Sequence, residues 1–385
     1  MMNKKKMELY IHIPFCVKKC LYCDFLSAEA DLATQKAYVE QLIEEIRVQA
    51  KNYIEYQIST IFIGGGTPSI LSGVMIANIM SAVYEGFAVE ASAEVTIECN
   101  PGTLDADKLG YYRHSGINRI SLGLQSADDD ELRLIGRIHS YEDFLKSFQK
   151  VKQAGFDNIN VDLISAIPNQ NLESWKSTLK KVAMLKPEHI SAYSLIIEDG
   201  TPFYKMYTGK EGEKQLPDDE LDRDMYYVTK DILANYGYQR YEISNYAKAG
   251  YECRHNTGYW TGVEYLGLGL GASSYVMGRR FHTEKELDKY MNIKMHEDIN
   301  PLYQDIQELT LEDRMEEFMF LGLRMVGGVS GSEFMERFGQ NMFNIYAQVI
   351  EQNVKKQLLI IEYPFLRLTE KGIDLSNSVM SDFIF

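Results

Sequence analysis

Positive charge is in short supply in this 385-residue chain: 40 Lys and Arg stand against 55 Asp and Glu, a formal net charge of −15. Phosphate backbones and anionic headgroups select basic surfaces, so nucleic acid is not expected as a partner, and peripheral membrane contact is expected only through an acceptor protein. Long apolar runs are missing as well. No stretch reaches the roughly 18 uncharged residues of a membrane span. The apolar run at residues 9–15 is short and contains His12, unlike a secretory core, so a cytoplasmic protein is expected. Neither a solenoid repeat nor a low-complexity tract is present. Cysteine is sparse: five residues are too few and too odd for a disulfide scaffold, which points to a reducing compartment. What remains is an ordinary globular composition, 45% hydrophobic and 25% charged, long enough for two or three segments around a buried core.

Short β-rich runs alternate with helical patterns from the start. Residues 9–13 read as a strand and 33–50 as a helix with Tyr38, Leu42 and Ile46 on one face. A second strand over 59–63 runs into Gly64-Gly65-Gly66-Thr67-Pro68. A helix over 73–84 and strands over 94–97, 119–124, 158–164 and 190–197 continue the pattern, with Gly116 and Gly155 as helix stops. Such alternation means parallel strands joined by crossover helices. Six units predict an α/β fold built as a partial (β/α)6 TIM-like barrel. The glycine loop, Glu98, Gln125 and Asp162 all fall at or just past C-terminal strand ends, which a barrel gathers on one ligand-binding rim.

After residue 199 the alternation stops. Residues 202–217 read as a loop, 218–236 as a helix and 246–275 as an aromatic, Gly-rich irregular stretch. Gly267-Leu268-Gly269-Leu270-Gly271 lacks the strand–helix context of a dinucleotide loop and reads as a packing turn. Helices over 308–325, 333–338 and 343–352 followed by a β-wing over 358–368 predict a small winged-helix-like C-terminal domain. Seven basic against thirteen acidic residues over 301–385 make it a poor DNA reader. The expected division is a barrel over 1–200, an aromatic and Gly-rich extension over 201–300, and the C-terminal domain over 301–385.

Three of the five cysteines crowd together in Cys16-Val17-Lys18-Lys19-Cys20-Leu21-Tyr22-Cys23, directly after a strand. Iron–sulfur cubes usually take four cysteines, so three thiolates at this spacing cap three irons and leave the fourth open. The other reading is a zinc knuckle completed by His12 or Asp24, although structural zinc prefers paired C-x2-C halves and no second half exists.

This loop, the glycine loop after the next strand and the stretch Tyr10-Ile11-His12-Ile13-Pro14-Phe15-Cys16 resemble the radical S-adenosylmethionine superfamily. More narrowly they resemble oxygen-independent coproporphyrinogen III oxidases and the HemW-type haem chaperones. The likeness continues through Ile97-Glu98-Cys99-Asn100-Pro101, Ser121-Leu122-Gly123-Leu124-Gln125, Arg254-His255-Asn256-Thr257-Gly258-Tyr259-Trp260 and Leu368-Thr369-Glu370-Lys371-Gly372. It implies that Cys16, Cys20 and Cys23 hold a 4Fe–4S cluster. It also implies that Tyr10, Tyr22, Gly65, Gly66, Thr67, Glu98, Gln125, Arg137 and Asp162 contact S-adenosylmethionine. The residue types suit that: glycines admit a close backbone approach, Arg137 can clamp a carboxylate, and Glu98 and Asp162 can accept from ribose hydroxyls.

Two features separate the branches. The oxidases carry a further cysteine where this chain has Phe25, and a longer extension before a first strand that begins here near Leu9. Both favour the chaperone branch, whose members bind haem and pass it on. That implies haem, a haem-acceptor protein and an electron donor to the cluster as partners. His255 is the expected axial haem ligand, with Cys253 as an alternative or a thioether site. Cys99 is expected to pack beside Glu98. Oxidative decarboxylation of coproporphyrinogen III is the rival activity.

Overall fold

The computed structural model describes residues 4–384. Six parallel strands form its centre: β1 (Lys5–Ile13), β2 (Tyr56–Gly65), β3 (Val89–Cys99), β4 (Arg119–Gln125), β5 (Ile159–Ser165) and β6 (His189–Ser194). They are paired in sequence order. Their sequences are close to continuous apolar runs because crossover helices cover them, as β4 illustrates with six of its seven residues buried. The helices are α1 (Leu32–Ala50), α2 (Gly73–Gly86), α3 (Ala106–His114), α4 (Asp129–Leu134), α5 (Tyr141–Gln153) and α6 (Leu172–Met184). Each starts from a side-chain cap (Asp31, Ser72, Asp105, Asp128, Ser140 and Asn171), which satisfies the free amides of the first turn and keeps each rim connection defined. The expected partial barrel is therefore present, and it is an open one.

The sheet extends past both edges of the barrel, to twelve strands. β7 (Gln239–Arg240) and β8 (Asn245–Ala247) continue antiparallel from β6. On the other side β9 (Tyr265–Leu268) runs parallel to β1, and β10 (Ser273–Val276), β11 (Arg279–Thr283) and β12 (Tyr303–Glu308) follow antiparallel. Residues 246–275 are thus regular where an irregular stretch was expected. The glycines are the reason: a side chain at Gly267 would stand 2.3 Å from the Ser273 carbonyl, and Gly269 and Gly271 turn with positive φ. The packing-turn reading of these glycines holds. The expected loop over 202–217 instead contains helices Pro202–Tyr207 and Lys210–Glu213. Thr201 caps the first, Pro202 occupies its opening turn, and Phe203 and Tyr207 anchor it in a small apolar cluster.

Beyond β12 a separate core begins at Met315. Helices Leu311–Gly322, Gly331–Phe338 and Ala347–Lys355 pack with a three-stranded sheet, β13 (Val329–Ser330), β14 (Leu359–Glu362) and β15 (Phe365–Leu368), in the winged-helix-like arrangement. This unit is tied to the barrel by ion pairs of Arg223 with Asp374 and of Lys230 and Arg240 with Glu370. No helix among the described residues is long and apolar enough to cross a membrane.

Candidate functional site

The cysteine loop leaves the end of β1 and returns to it. Cys16 and Ala28 close its base through backbone bonds of 3.0 Å (Cys16 N–H to Ala28) and 2.9 Å (Ala28 N–H to Pro14). Leu21 pins its middle by donating to Ile135 and accepting from Phe203. All three cysteines are half-buried and free of disulfides. Burial pushes the Cys23 thiol up to about 11.

Two sulfurs are joined by a belt of side chains. Thr67 Oγ1 donates to Cys16 Sγ at 3.4 Å, and Asn100 Nδ2 donates to Thr67 Oγ1 at 3.0 Å. Asn100 Oδ1 accepts from Arg137 Nη2 at 2.8 Å, and Arg137 Nη1 donates to Cys20 Sγ at 3.5 Å. Donors aimed at sulfur stabilise a thiolate, the form that binds metal. Asn100, which the sequence shows only as part of the Ile97–Pro101 stretch of the resemblance, has a positioning role in this belt.

The glycine loop is packed tightly against the root of the cysteine loop. A side chain at Gly65 (φ 115°) would stand 2.5 Å from the His12 ring, and one at Gly66 would stand 2.7 Å from the Phe15 carbonyl. Gly66 and Thr67 donate to the Ile13 and Phe15 carbonyls at 2.9 and 2.7 Å. The glycines therefore lock β2 onto the root of the cysteine loop. Gly65 N–H also donates to Glu98 Oε2 at 3.1 Å. Burial, and then the neighbouring Asp162, raise the Glu98 carboxyl to about 8. Asp162 is held by Ser121 at 2.8 Å and Asn160 at 2.7 Å. Gln125 ends β4 at φ 75°, a left-handed conformation unusual outside glycine and a sign of a constrained site.

These groups line one cavity of about 400 Å³. The three cysteines share it with Tyr22, Gly65, Gly66, Thr67, Glu98, Gln125, Arg137 and Asp162. Tyr10 lies elsewhere: its hydroxyl meets His12 Nδ1 at 3.0 Å, and it lines an adjoining cavity of about 240 Å³. Arg137 Nη2 donates to the Gly123 carbonyl (2.6 Å) and to Asn100 Oδ1, while its Nε is buried without a partner among the described residues.

The histidine expected to ligate haem is buried, with both ring nitrogens hydrogen-bonded. His255 is 1% exposed and stacks on Phe62 with ring centroids 5.1 Å apart. Its Nδ1 meets Thr60 Oγ1 at 2.7 Å and its Nε2 meets the Tyr259 hydroxyl at 2.9 Å. Burial, with Arg119 nearby, lowers its pKa to about 3. Both ring nitrogens, one donor and one acceptor, are engaged inside the barrel, so iron ligation would break a buried hydrogen bond. Cys253 is also fully buried, with its thiol on Glu94 Oε1 at 3.6 Å and raised to about 12 by burial. Cys99 is buried and bonds the Ile97 carbonyl at 3.8 Å, a packing role as expected. His12 has both ring nitrogens engaged, by Tyr10 and by the Leu26 carbonyl at 2.8 Å.

A zinc ion needs donors converging on one point, and among the described residues no three His, Cys, Asp or Glu side chains do so. A cube takes each thiolate at a different corner, a donor set this loop can supply.

Comparison with known proteins agrees with this site. The radical SAM superfamily model matches residues 10–182 and the HemN C-terminal domain model matches residues 309–375. The solved structure of the coproporphyrinogen III oxidase HemN from Escherichia coli, described as a radical SAM enzyme, superposes with a TM-score of 0.86 at 26% identity. The match covers 99% of this chain and 90% of that one. An open parallel barrel with three loop cysteines at its rim is thus a radical SAM protein. Among curated relatives, the heme chaperone HemW of Lactococcus lactis is 37% identical over 100% of this chain and 98% of its own length. The heme chaperone HemW of Bacillus subtilis is 35% identical over 97% and 98%. The chain belongs to the HemW family.

Proposed function

We propose that this protein binds haem and hands it to an acceptor protein, with a 4Fe–4S cluster on Cys16, Cys20 and Cys23 and S-adenosylmethionine in the adjoining cavity. The observation that carries this reading is the position of Phe25. It is 61% exposed and stands in the wall of the cysteine cavity, the adjoining cavity and a larger aromatic cavity of about 680 Å³ beneath the C-terminal domain. A bulky apolar residue there links a cofactor site to a space large enough for a tetrapyrrole, within the roughly 300–1,000 Å³ typical of ligand sites.

Glu98, Asp162, Gln125 and Tyr22 are the groups we assign to S-adenosylmethionine, with Gly65, Gly66 and Thr67 shaping the floor. The Thr67–Asn100–Arg137 belt holds the thiolates' charge. When bound, the cluster and S-adenosylmethionine supply one-electron chemistry that side chains alone cannot. Tyr10 belongs to the haem side of the site. The barrel, the extension after residue 200 and the C-terminal domain are then one cofactor-bearing body, one wall and one cover.

Decarboxylation of coproporphyrinogen III is the competing reading, favoured by the match to HemN. Three measurements separate the alternatives. Anaerobic reconstitution should give about four irons per chain, against one zinc for a zinc protein. Haemin titration should give saturable binding. Incubation with coproporphyrinogen III, S-adenosylmethionine and a reductant should give no protoporphyrinogen; turnover would overturn the chaperone reading.

A further inference from the structure

The larger cavity lies between β9–β11, the helix Arg254–Thr261 and the C-terminal helices Leu311–Gly322 and Gly331–Phe338. Its walls are aromatic, supplied chiefly by Phe25, Tyr259, Trp260, Tyr265, Tyr275 and Phe318. Tyr259 and Tyr265 meet edge to face with centroids 4.6 Å apart, which makes that wall rigid. Three guanidinium groups, Arg280, Arg314 and Arg337, face one carboxylate, Glu317. With Arg280 paired to Glu317 and Arg337 to Glu333, one guanidinium, Arg314, is left without a carboxylate partner among the described residues, a local cationic excess that favours an anionic occupant.

The arginines are not equally committed. Arg280 pairs with Glu317 at 2.8 Å, and its guanidinium lies 5.4 Å from the Tyr275 ring. Arg337 holds the Thr261 carbonyl at 2.9 Å and Glu333 at 2.5 Å. Arg314 bonds only the Thr310 carbonyl, at 3.3 Å, and has no ion pair among the described residues. No cysteine or methionine lines the cavity, and its single imidazole, His12, has both nitrogens taken.

We propose that this cavity is the haem seat, and that it holds the macrocycle by its two propionates on the arginines and by its faces on the aromatic wall, without an imidazole or thiolate ligand. The inference rests on the haem-binding reading above. It also supplies what transfer requires: edge contacts and stacking release a ligand without breaking an iron–protein bond.

The test uses the full-length protein and two probes, ferric haem followed by Soret absorbance, and protoporphyrin IX compared with its dimethyl ester. Removing a charge-assisted contact costs about tenfold or more in affinity. Arg314→Gln should weaken haem binding about tenfold, and Arg314→Gln/Arg337→Gln further, with circular dichroism unchanged. The dimethyl ester should bind the unaltered protein about as weakly as the free acid binds the double variant, and the double variant should discriminate little between the two. Equal binding of acid and ester by the unaltered protein, or full affinity in the double variant, overturns the proposal. So does a haem spectrum that is lost in folded His255→Gln or Cys253→Ser. Absence of any haem binding by the unaltered protein would instead overturn the function proposed above, and this inference with it.

Discussion

Replacing Glu8 by Gln measures what the barrel interior does to a buried carboxyl. Glu8 is 2% exposed on β1, with its carboxyl against the Gly258 backbone and His255 Nδ1 3.8 Å away. Burial raises its pKa from 4.5 to about 9, against a smaller opposing effect of the Thr60 hydrogen bond. The folded protein therefore keeps this proton through neutral pH while the unfolded chain releases it above about 4.5. Between these values the folded state binds one more proton than the unfolded state, so rising pH lowers stability by about 1.4 kcal/mol per unit. At pH 7 the cost is about 3 kcal/mol, and it is complete near pH 9. Gln is nearly isosteric with the protonated acid and has nothing to ionise. Glu8→Gln should match the unaltered protein near pH 5 and become progressively more stable toward pH 9. Urea unfolding followed by far-UV circular dichroism at half-unit pH intervals reads this directly. A gap independent of pH, or a variant less stable at pH 8, would refute a buried neutral Glu8.

The same contact makes a second prediction. A methyl group at Gly258 would stand 1.9 Å from Glu8 Oε1, so Gly258→Ala should destabilise by about 1–3 kcal/mol, and Glu8→Ala in the same chain should recover part of the loss. Cys16→Ser, Cys20→Ser and Cys23→Ser should each abolish iron reconstitution, whereas Cys99→Ser and Cys253→Ser should leave iron content unchanged; loss of iron in either of the latter would contradict their packing roles. Asn100→Ala cuts the belt between Thr67 and Arg137. It should leave the fold intact but shift the cluster's reduction potential, measured by anaerobic redox titration; an unchanged potential would mean the belt is structural only.

The rim residues were legible because parallel strands leave their C-terminal ends no alternative location. Glu98 and Gln125 close apolar runs, and covering helices force those ends to one side, whereas Asp162 sits mid-strand in β5 with Leu163 and Ile164 buried after it. The cysteine spacing was legible for a similar local reason. The burial of His255 was not legible, because a histidine beside two aromatics looks the same in sequence whether its nitrogens are free or filled. Thr60 and Tyr259, which fill them, include a residue 195 positions away. The positioning role of Asn100 was hidden because its belt partners, Thr67 and Arg137, lie 33 and 37 positions away. The helices within residues 202–217 were masked by Lys, Glu and Gly, although Thr201-Pro202 is a sound start signal.

The amino-acid sequence by itself determined the parallel barrel, the three-thiolate loop and the carboxylates on the rim, since periodicity, spacing and strand ends are properties of short segments. Only the tertiary structure decided which polar groups are available to a ligand. Phe25 joins three cavities, Arg280, Arg314 and Arg337 meet from β11 and two C-terminal helices, and His255 disappears into the barrel. Availability depends on partners brought from far along the chain, and burial with a filled hydrogen bond removes a group from chemistry as completely as substitution would.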